Sequence, residues 1–334
     1  MTQDKIAQYF DALTTRSQAL AQDTAMSLTA ALTEVLEDLA SGRVQYVAGK
    51  PTPAVAEQIQ TLIAQLDWQH MATSDLRKTL QLAILKANRD DKTQANHQIT
   101  PDGIGYLLAD FLMQTAQLKT GDTMLDMTVG AGNLLYTVND VLKMNGLDIQ
   151  RVGIDNDESQ LALATAVDQL LHQGTTTFYQ EDVVAITEAP KAKAVIADLP
   201  VGYYPLQPSE KYYTQATTGR SFVHQLLIEK SLDFVTDDGW VYLIVPANVM
   251  TGEQAKSLLK FLTHQAQLKA FLQLPAAFFK DARAAKAMLV LRKHGVGQQG
   301  EVLMGQYPPL KDIDGLKKFL QDIKAWVTLD KEQN

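Results

Sequence analysis

Along the first part of the chain, from Asp4 to about Ala40, apolar positions recur every three or four residues, as at Leu28, Leu32, Val35, Leu36 and Leu39. This is the spacing of one amphipathic helix, and Ser41-Gly42 stops it. Similar stretches at residues 53–66 and 74–87 predict two more helices, and the polar run 88–97 reads as a boundary. Residues 1–95 are therefore expected to form a helical N-terminal domain.

Past that boundary the pattern changes to short β-rich runs alternating with helix-length segments, the signature of βαβ units. Strands are predicted near 123–128, 151–155, 175–180, 192–198, 240–245, 268–274 and 287–292. The fold class that follows is α/β: a doubly wound, seven-stranded, mostly parallel sheet over residues 96–299. The last two strands are joined through Pro275 without a clear helix, which suggests an antiparallel return. A short tail, 300–334, carries one helix near 316–326.

With 334 residues and 46% hydrophobic content the chain can bury a large core. It has no cysteine, which excludes disulfides and thiolate metal sites, and its six histidines lack ligand spacing, so no metal is expected. No leader-like start and no run of about 18 apolar residues is present, so the expectation is a cytoplasmic protein without membrane attachment. Charge is unevenly spread. Residues 98–267 carry ten Lys and Arg against twenty Asp and Glu, a net of −10, whereas 268–299 carry six bases against one acid, a net of +5. That short basic segment reads either as a solvated strand-and-loop surface or as the sole candidate contact for a polyanion.

The chemistry concentrates at strand ends. In MLDMTVGAGNLL a strand ends at Asp126 and turns through Gly130-Ala131-Gly132 into a helix starting near Asn133. Such a turn is either a tight strand-to-helix corner or a place where backbone approaches a ligand. The next strand ends in Asp155-Asn156, 29 residues after Asp126, where a carboxylate can accept both hydroxyl hydrogens of a ribose. The third ends in Glu181-Asp182-Val183, an acid for an adenine amino group beside an apolar neighbour, and the fourth ends at Asp198. Each acid alone could be a helix N-cap. Four at successive strand ends point to one shared nucleoside site. Leu135 stands where a dinucleotide fingerprint has its third glycine, and an acidic rim repels a pyrophosphate but suits a sulfonium cation. Methyl transfer is thereby favoured over hydride transfer by a nicotinamide oxidoreductase.

These segments resemble, in order and spacing over residues 98–293, the N6-adenine DNA methyltransferases, especially the branch related to modification subunits of type I restriction systems. The resemblance implies S-adenosylmethionine as cofactor, with Thr100-Pro101 over its methionine part; the pair also suits a helix start, with Thr100 as N-cap and Pro101 as first helical residue. It further implies an exocyclic amine acceptor such as adenine N6. The family motif of Asn or Asp, Pro-Pro, then Tyr or Phe stands here as Asp198-Leu199-Pro200-Val201. Asp198 and the Leu199 carbonyl can accept the amine hydrogens; Val201 cannot stack on a base, a task left to Tyr203 or Tyr204. Tyr212 and Tyr213, with Lys211 and Arg220, suit either a nucleic-acid grip or an ordinary surface loop, and His224 reads as a structural histidine. The altered motif keeps two alternatives open: a cofactor-binding scaffold or regulator, and a non-DNA acceptor. Related subunits work with a specificity subunit, which implies either a protein partner docked on the helical domain or a mere cap. The net charge of −10 over residues 98–267 predicts weak nucleic-acid binding by the isolated chain.

Overall fold

A computed structural model describes residues 2–332 apart from 94–98, 173, 253, 281 and 294–299. The expected boundaries at 95/96 and 299/300 touch residues outside the described ones, as does the end of the polar run 88–97.

The chain begins with α1 (Thr2–Thr24), α2 (Leu28–Ser41), α3 (Pro53–Gln65) and α4 (Thr73–Asp90). The single helix expected from Asp4 to Ala40 is thus two. Ala25 turns the backbone to φ 58°, and the Ser27 hydroxyl oxygen accepts from the Ala30 amide at 3.1 Å, an N-cap that starts a new helix. Gly42, at φ 73°, ends α2 in the left-handed region where a residue without Cβ is least strained. The run from 88 is not yet linker, because α4 continues to Asp90. The following Asp91 carboxylate accepts from the amides of Leu28 (2.9 Å) and Thr29 (2.7 Å), supplying partners for the first turn of α2.

The remaining elements are α5 (Asp102–Thr115), β1 (Thr123–Asp126), α6 (Asn133–Met144), β2 (Gln150–Asp155), α7 (Glu158–His172), β3 (Thr176–Gln180), β4 (Ala192–Asp198), α8 (Val223–Phe234), β5 (Val235–Pro246), α9 (Ala255–His264), β6 (Ala266–Gln273), β7 (Lys286–Lys293), β8 (Leu303–Gln306) and α10 (Ile313–Glu332). They and the N-terminal helices form two compact units. The first comprises residues 1–99, 130–132 and 157–178; the second comprises 100–129, 133–156 and 179–334. In the first unit α1–α4 bury Leu13, Leu20, Val35, Leu36, Ile59 and Leu80, and α7 packs on α2. Its buried Asp168 accepts from the Thr176 hydroxyl at 2.6 Å and amide at 2.9 Å.

Among the described residues the sheet has eight strands in the order β3-β2-β1-β4-β5-β7-β6-β8. All seven expected strands are present, and β7 runs antiparallel to both β5 and β6. The eighth, β8, pairs parallel with β6; its four residues, LMGQ, carry no readable alternation. The tail helix is longer than expected. It packs in the second unit, where Trp326 lies 5.9 Å from Phe111 and donates its indole N–H to the Glu301 carbonyl at 2.7 Å. Residues 241–245 of β5 are fully buried, so the strand reads as one apolar run. The functional consequence is in the strand order: from β1 the chain winds outward through β2 to β3, then returns to β4 on the other side of β1. Such a reversal opens a crevice at the carboxyl ends of the two central strands, where open α/β sheets bind ligands.

Candidate active site

That crevice gathers the acids. Asp126 ends β1 with its side chain buried, its carboxylate accepting from the Thr128 amide at 3.1 Å. Burial first, then repulsion from Asp155 and Asp198, pushes its carboxyl up to about 8. Asp155 ends β2, half-buried, with its carbonyl accepting from the Glu181 amide at 3.0 Å; Asn156 beyond it is exposed. Asp198 ends β4, and the Thr128 hydroxyl reaches its carbonyl at 3.3 Å. A buried carboxyl that stays protonated near neutral pH, with the Asp155 and Asp198 carboxylates adding to the effect, makes a site whose complement is a cation. S-adenosylmethionine, with its sulfonium and amino group, fits that complement.

Thr100 does not cap α5. Pro101 takes the flanking position, with its carbonyl accepting from the Ile104 amide at 3.0 Å, while the Thr100 hydroxyl donates to the Asp198 carboxylate at 2.8 Å. The pair is fixed from the other side by Asn133, the first residue of α6, whose amide donates to the Thr100 carbonyl at 2.5 Å and to Asp102 at 3.1 Å. Gly130 and Gly132 occupy the connection from β1 to α6 at φ 51° and 85°, values that ordinary side chains adopt only at a cost. Asp182 lies after β3 and is already engaged: it accepts from the Val184 amide at 3.0 Å and from the Tyr204 hydroxyl at 2.7 Å. Val183 is buried in the core.

After β4 the Leu199 amide donates to the Ile244 carbonyl at 3.0 Å, which anchors the motif against β5; Pro200 is half-buried and Val201 exposed. Tyr203 and Tyr204 part company. Tyr204 is buried, whereas half-exposed Tyr203 stacks on Phe222 (4.6 Å, 13°), which in turn stacks on His224 (5.2 Å, 24°). His224 is buried and burial pushes it down to about 4, so it stays neutral, as a structural histidine would. Tyr212 is also buried and donates to the Val184 carbonyl at 2.6 Å, while Tyr213 is exposed.

Lys286 is the residue that sequence reasoning missed. It opens β7, and because β7 is antiparallel to β5, its first residue lies at the rim where the parallel strands end. There its ammonium forms an ion pair with the Asp198 carboxylate, which thus holds Thr100 with one oxygen and Lys286 with the other.

A doubly wound sheet with an acidic crevice at its reversal point defines a class I methyltransferase fold, and S-adenosylmethionine is its cofactor. The profile of the family described as N-6 DNA methylase matches residues 83–322. The chain belongs to that family, and it is a methyltransferase. It is 29% identical over 288 residues to the uncharacterized protein YtxK of Bacillus subtilis, covering 84% of this chain and 85% of that protein. A crystal structure of a candidate class I S-adenosylmethionine-dependent methyltransferase from Listeria monocytogenes superposes with a TM-score of 0.87 at 27% identity, covering 97% of this chain and 99% of the other. The methyltransferase subunit of a type I restriction-modification system from Streptococcus thermophilus shares the fold, with a TM-score of 0.64 at 16% identity over 95% of this chain and 74% of its own.

The buried carboxyl gives the site a pH signature. Asp126 titrates in the fold well above its ordinary value of 3.8, so its neutral form favours the ligand-free fold at low pH, and that contribution is lost between pH about 4 and 8. A cation beside it favours the ionised form. Affinity for S-adenosylmethionine should therefore rise with pH toward 8, by up to about tenfold per unit. The cofactor's own amino group titrates in the same range. The test is accordingly a comparison by calorimetric titration at pH 6 to 9, in which Asp126→Asn should show a shallower rise than the wild type; equal slopes would remove Asp126 from the cofactor's surroundings.

Proposed function

We propose that the methyl acceptor is an exocyclic amine, such as adenine N6 in nucleic acid, received by Asp198 and the Leu199 carbonyl. The observation that carries this reading is the position of Asp198: it ends β4 at the sheet's reversal, near enough to raise the pKa of Asp126, with its carboxylate aligned by Thr100. Thr100, Pro101, Asp126, Asn133, Asp155, Asn156, Asp182 and Val183 would hold the cofactor, which when bound supplies an electrophilic methyl group. Each carboxylate oxygen of Asp198 has a lone pair left after its present bond, so an incoming amine can still be oriented there. Its nitrogen lone pair would then face the methyl group, and Asp198 can take up the proton released. Tyr203, on its Phe222 support, is the proposed stacking surface in place of Val201.

A second reading is favoured by one contact. Lys286 already donates to the carboxylate that would orient the amine, which suits a protein that binds the cofactor and acts as a scaffold or regulator. A labelled-methyl assay over DNA, RNA and cell extract separates the two: incorporation supports transfer, and cofactor binding without incorporation into any acceptor supports the scaffold.

The helical region 1–95, the catalytic region 96–299 and the tail 300–334 are proposed as the working divisions of a cytoplasmic protein; no described helix is long and apolar enough to cross a membrane. We infer that the helical region docks a protein partner, since a fold neighbour is a subunit of a restriction-modification system. The purified chain alone should bind duplex DNA only weakly. Of the six cations in residues 268–299, Lys269 is buried against Asp330, Lys286 is paired with Asp198, Lys293 with Asp237, and Arg292 is buried. So little uncommitted positive surface supports a dissociation constant on the order of 10⁻⁴ M or weaker at physiological salt. Mobility shifts at about 150 mM salt would check this, and sub-micromolar binding would contradict it.

A further inference from the structure

At the end of the sheet away from the acidic crevice there is a second concavity, within the second unit. A cavity of about 350 Å³ is lined by, among others, Thr115 at the end of α5, Lys193 on β4, Trp240 on β5, Arg292 on β7 and Lys331 on α10. Arg292 dominates it. The residue is 9% exposed, its guanidinium lies 5.0 Å from the centroid of the Trp240 ring, and its Nε has no hydrogen-bond partner among the described residues. The two carboxylates that line the cavity each hold a lysine: Asp238 pairs with Lys193, and Asp330 with Lys269 at 2.7 Å. Lys193, Lys269, Arg292 and Lys331 thus stand against Asp238 and Asp330, leaving two positive charges in excess.

The Asp330 and Asp238 carboxylates act on the Arg292 guanidinium only through space while each holds a lysine, so the desolvation of its buried Nε is not offset by a charge-assisted hydrogen bond. Its planar fork matches a phosphate or a carboxylate with two parallel bonds. The excess of two charges matches a phosphate monoester dianion, and the volume leaves room for a small organic group as well as the phosphate. We propose that this cavity binds a small organic phosphate, with Arg292 making the bidentate contact and Lys193 and Lys331 completing the counter-charge. The site is independent of the methyl-transfer centre. Arg292 lies six residues along β7 from Lys286, roughly 20 Å at the rise of an extended strand.

The test is calorimetric titration of the full chain with ribose 5-phosphate, inorganic phosphate and, as the carboxylate counterpart, ribonate, all with S-adenosylmethionine at saturation so that the crevice is filled. Ribose 5-phosphate should bind with a dissociation constant below about 1 mM and more tightly than either comparator. Arg292→Gln should weaken it by about tenfold or more, with Arg292→Lys in between, because a point charge replaces the fork. Without ligand, Arg292→Gln should melt close to the wild type, as the desolvation relieved opposes the loss of the Trp240 contact and of the attraction to Asp330 and Asp238. If Arg292→Gln failed to fold, the idea would rest on Lys331→Gln, at an exposed position, which should weaken the phosphate by about threefold. Absence of phosphate binding to the wild type, unchanged binding in the variants that fold, or equal binding of ribonate would each overturn the proposal.

Discussion

Replacing Asp198 with Ala should reduce methyl transfer by about 10²–10⁴-fold, the range for removing a group that orients and deprotonates a reacting amine. Affinity for S-adenosylmethionine should change by only a few-fold, because the interaction lost is realised mainly in the transition state. Asp198 is suited to be read this way because its surroundings are known on both oxygens, with Thr100 at 2.8 Å on one and Lys286 on the other. The companion variant Lys286→Met separates orientation from mere charge. It frees the carboxylate for an acceptor and should keep or increase turnover, whereas a structural ion pair would give a loss in both variants alike. Single-turnover methyl transfer, followed alongside cofactor titration, reads both outcomes; activity that survives Asp198→Ala would mean the amine is held elsewhere.

Asp155→Ala should weaken cofactor binding by about 1.5–3 kcal/mol, roughly 10- to 150-fold, the value of hydrogen bonds to a charged group. The carboxylate ends β2, where the Asp155 carbonyl accepts from the Glu181 amide at 3.0 Å and holds the strand end in place. The substitution also removes one of the two carboxylates that repel Asp126. Asp126 should then ionise at lower pH, and the steep part of the binding curve should move the same way. Affinity left unchanged in Asp155→Ala would rule out its pairing with the ribose.

The strand-end acids were legible because each lies within a few residues of the β-rich run that delivers it. The mostly parallel sheet is legible as βαβ periodicity, whereas the strand order β3-β2-β1-β4 that makes its reversal is not. What stayed hidden depends on residues far apart in the chain. Nothing local to KAMLVLRK links Lys286 to Asp198, 88 residues earlier; the link follows only from the antiparallel entry of β7. Thr100 looked like an ordinary N-cap, and only the 98-residue contact with Asp198 gives its hydroxyl a different task. The break at Ser27 is invisible in the apolar spacing, which continues across it, because a cap of one hydroxyl leaves no mark on periodicity. The basic segment 268–299 looked like a surface, yet most of its cations turn inward or pair.

Strand β7 carries a constraint of parity. Lys286 and Arg292 are separated by six positions, an even number, so both side chains leave the same face of the sheet: one toward the crevice of the parallel strand ends, the other over Trp240. Ordinary substitutions between them can alter packing without disturbing that alignment. A single inserted or deleted residue cannot, because it would carry one of the two to the opposite face while the other stayed. The length of this strand from first lysine to arginine is therefore less free to vary than its apolar composition.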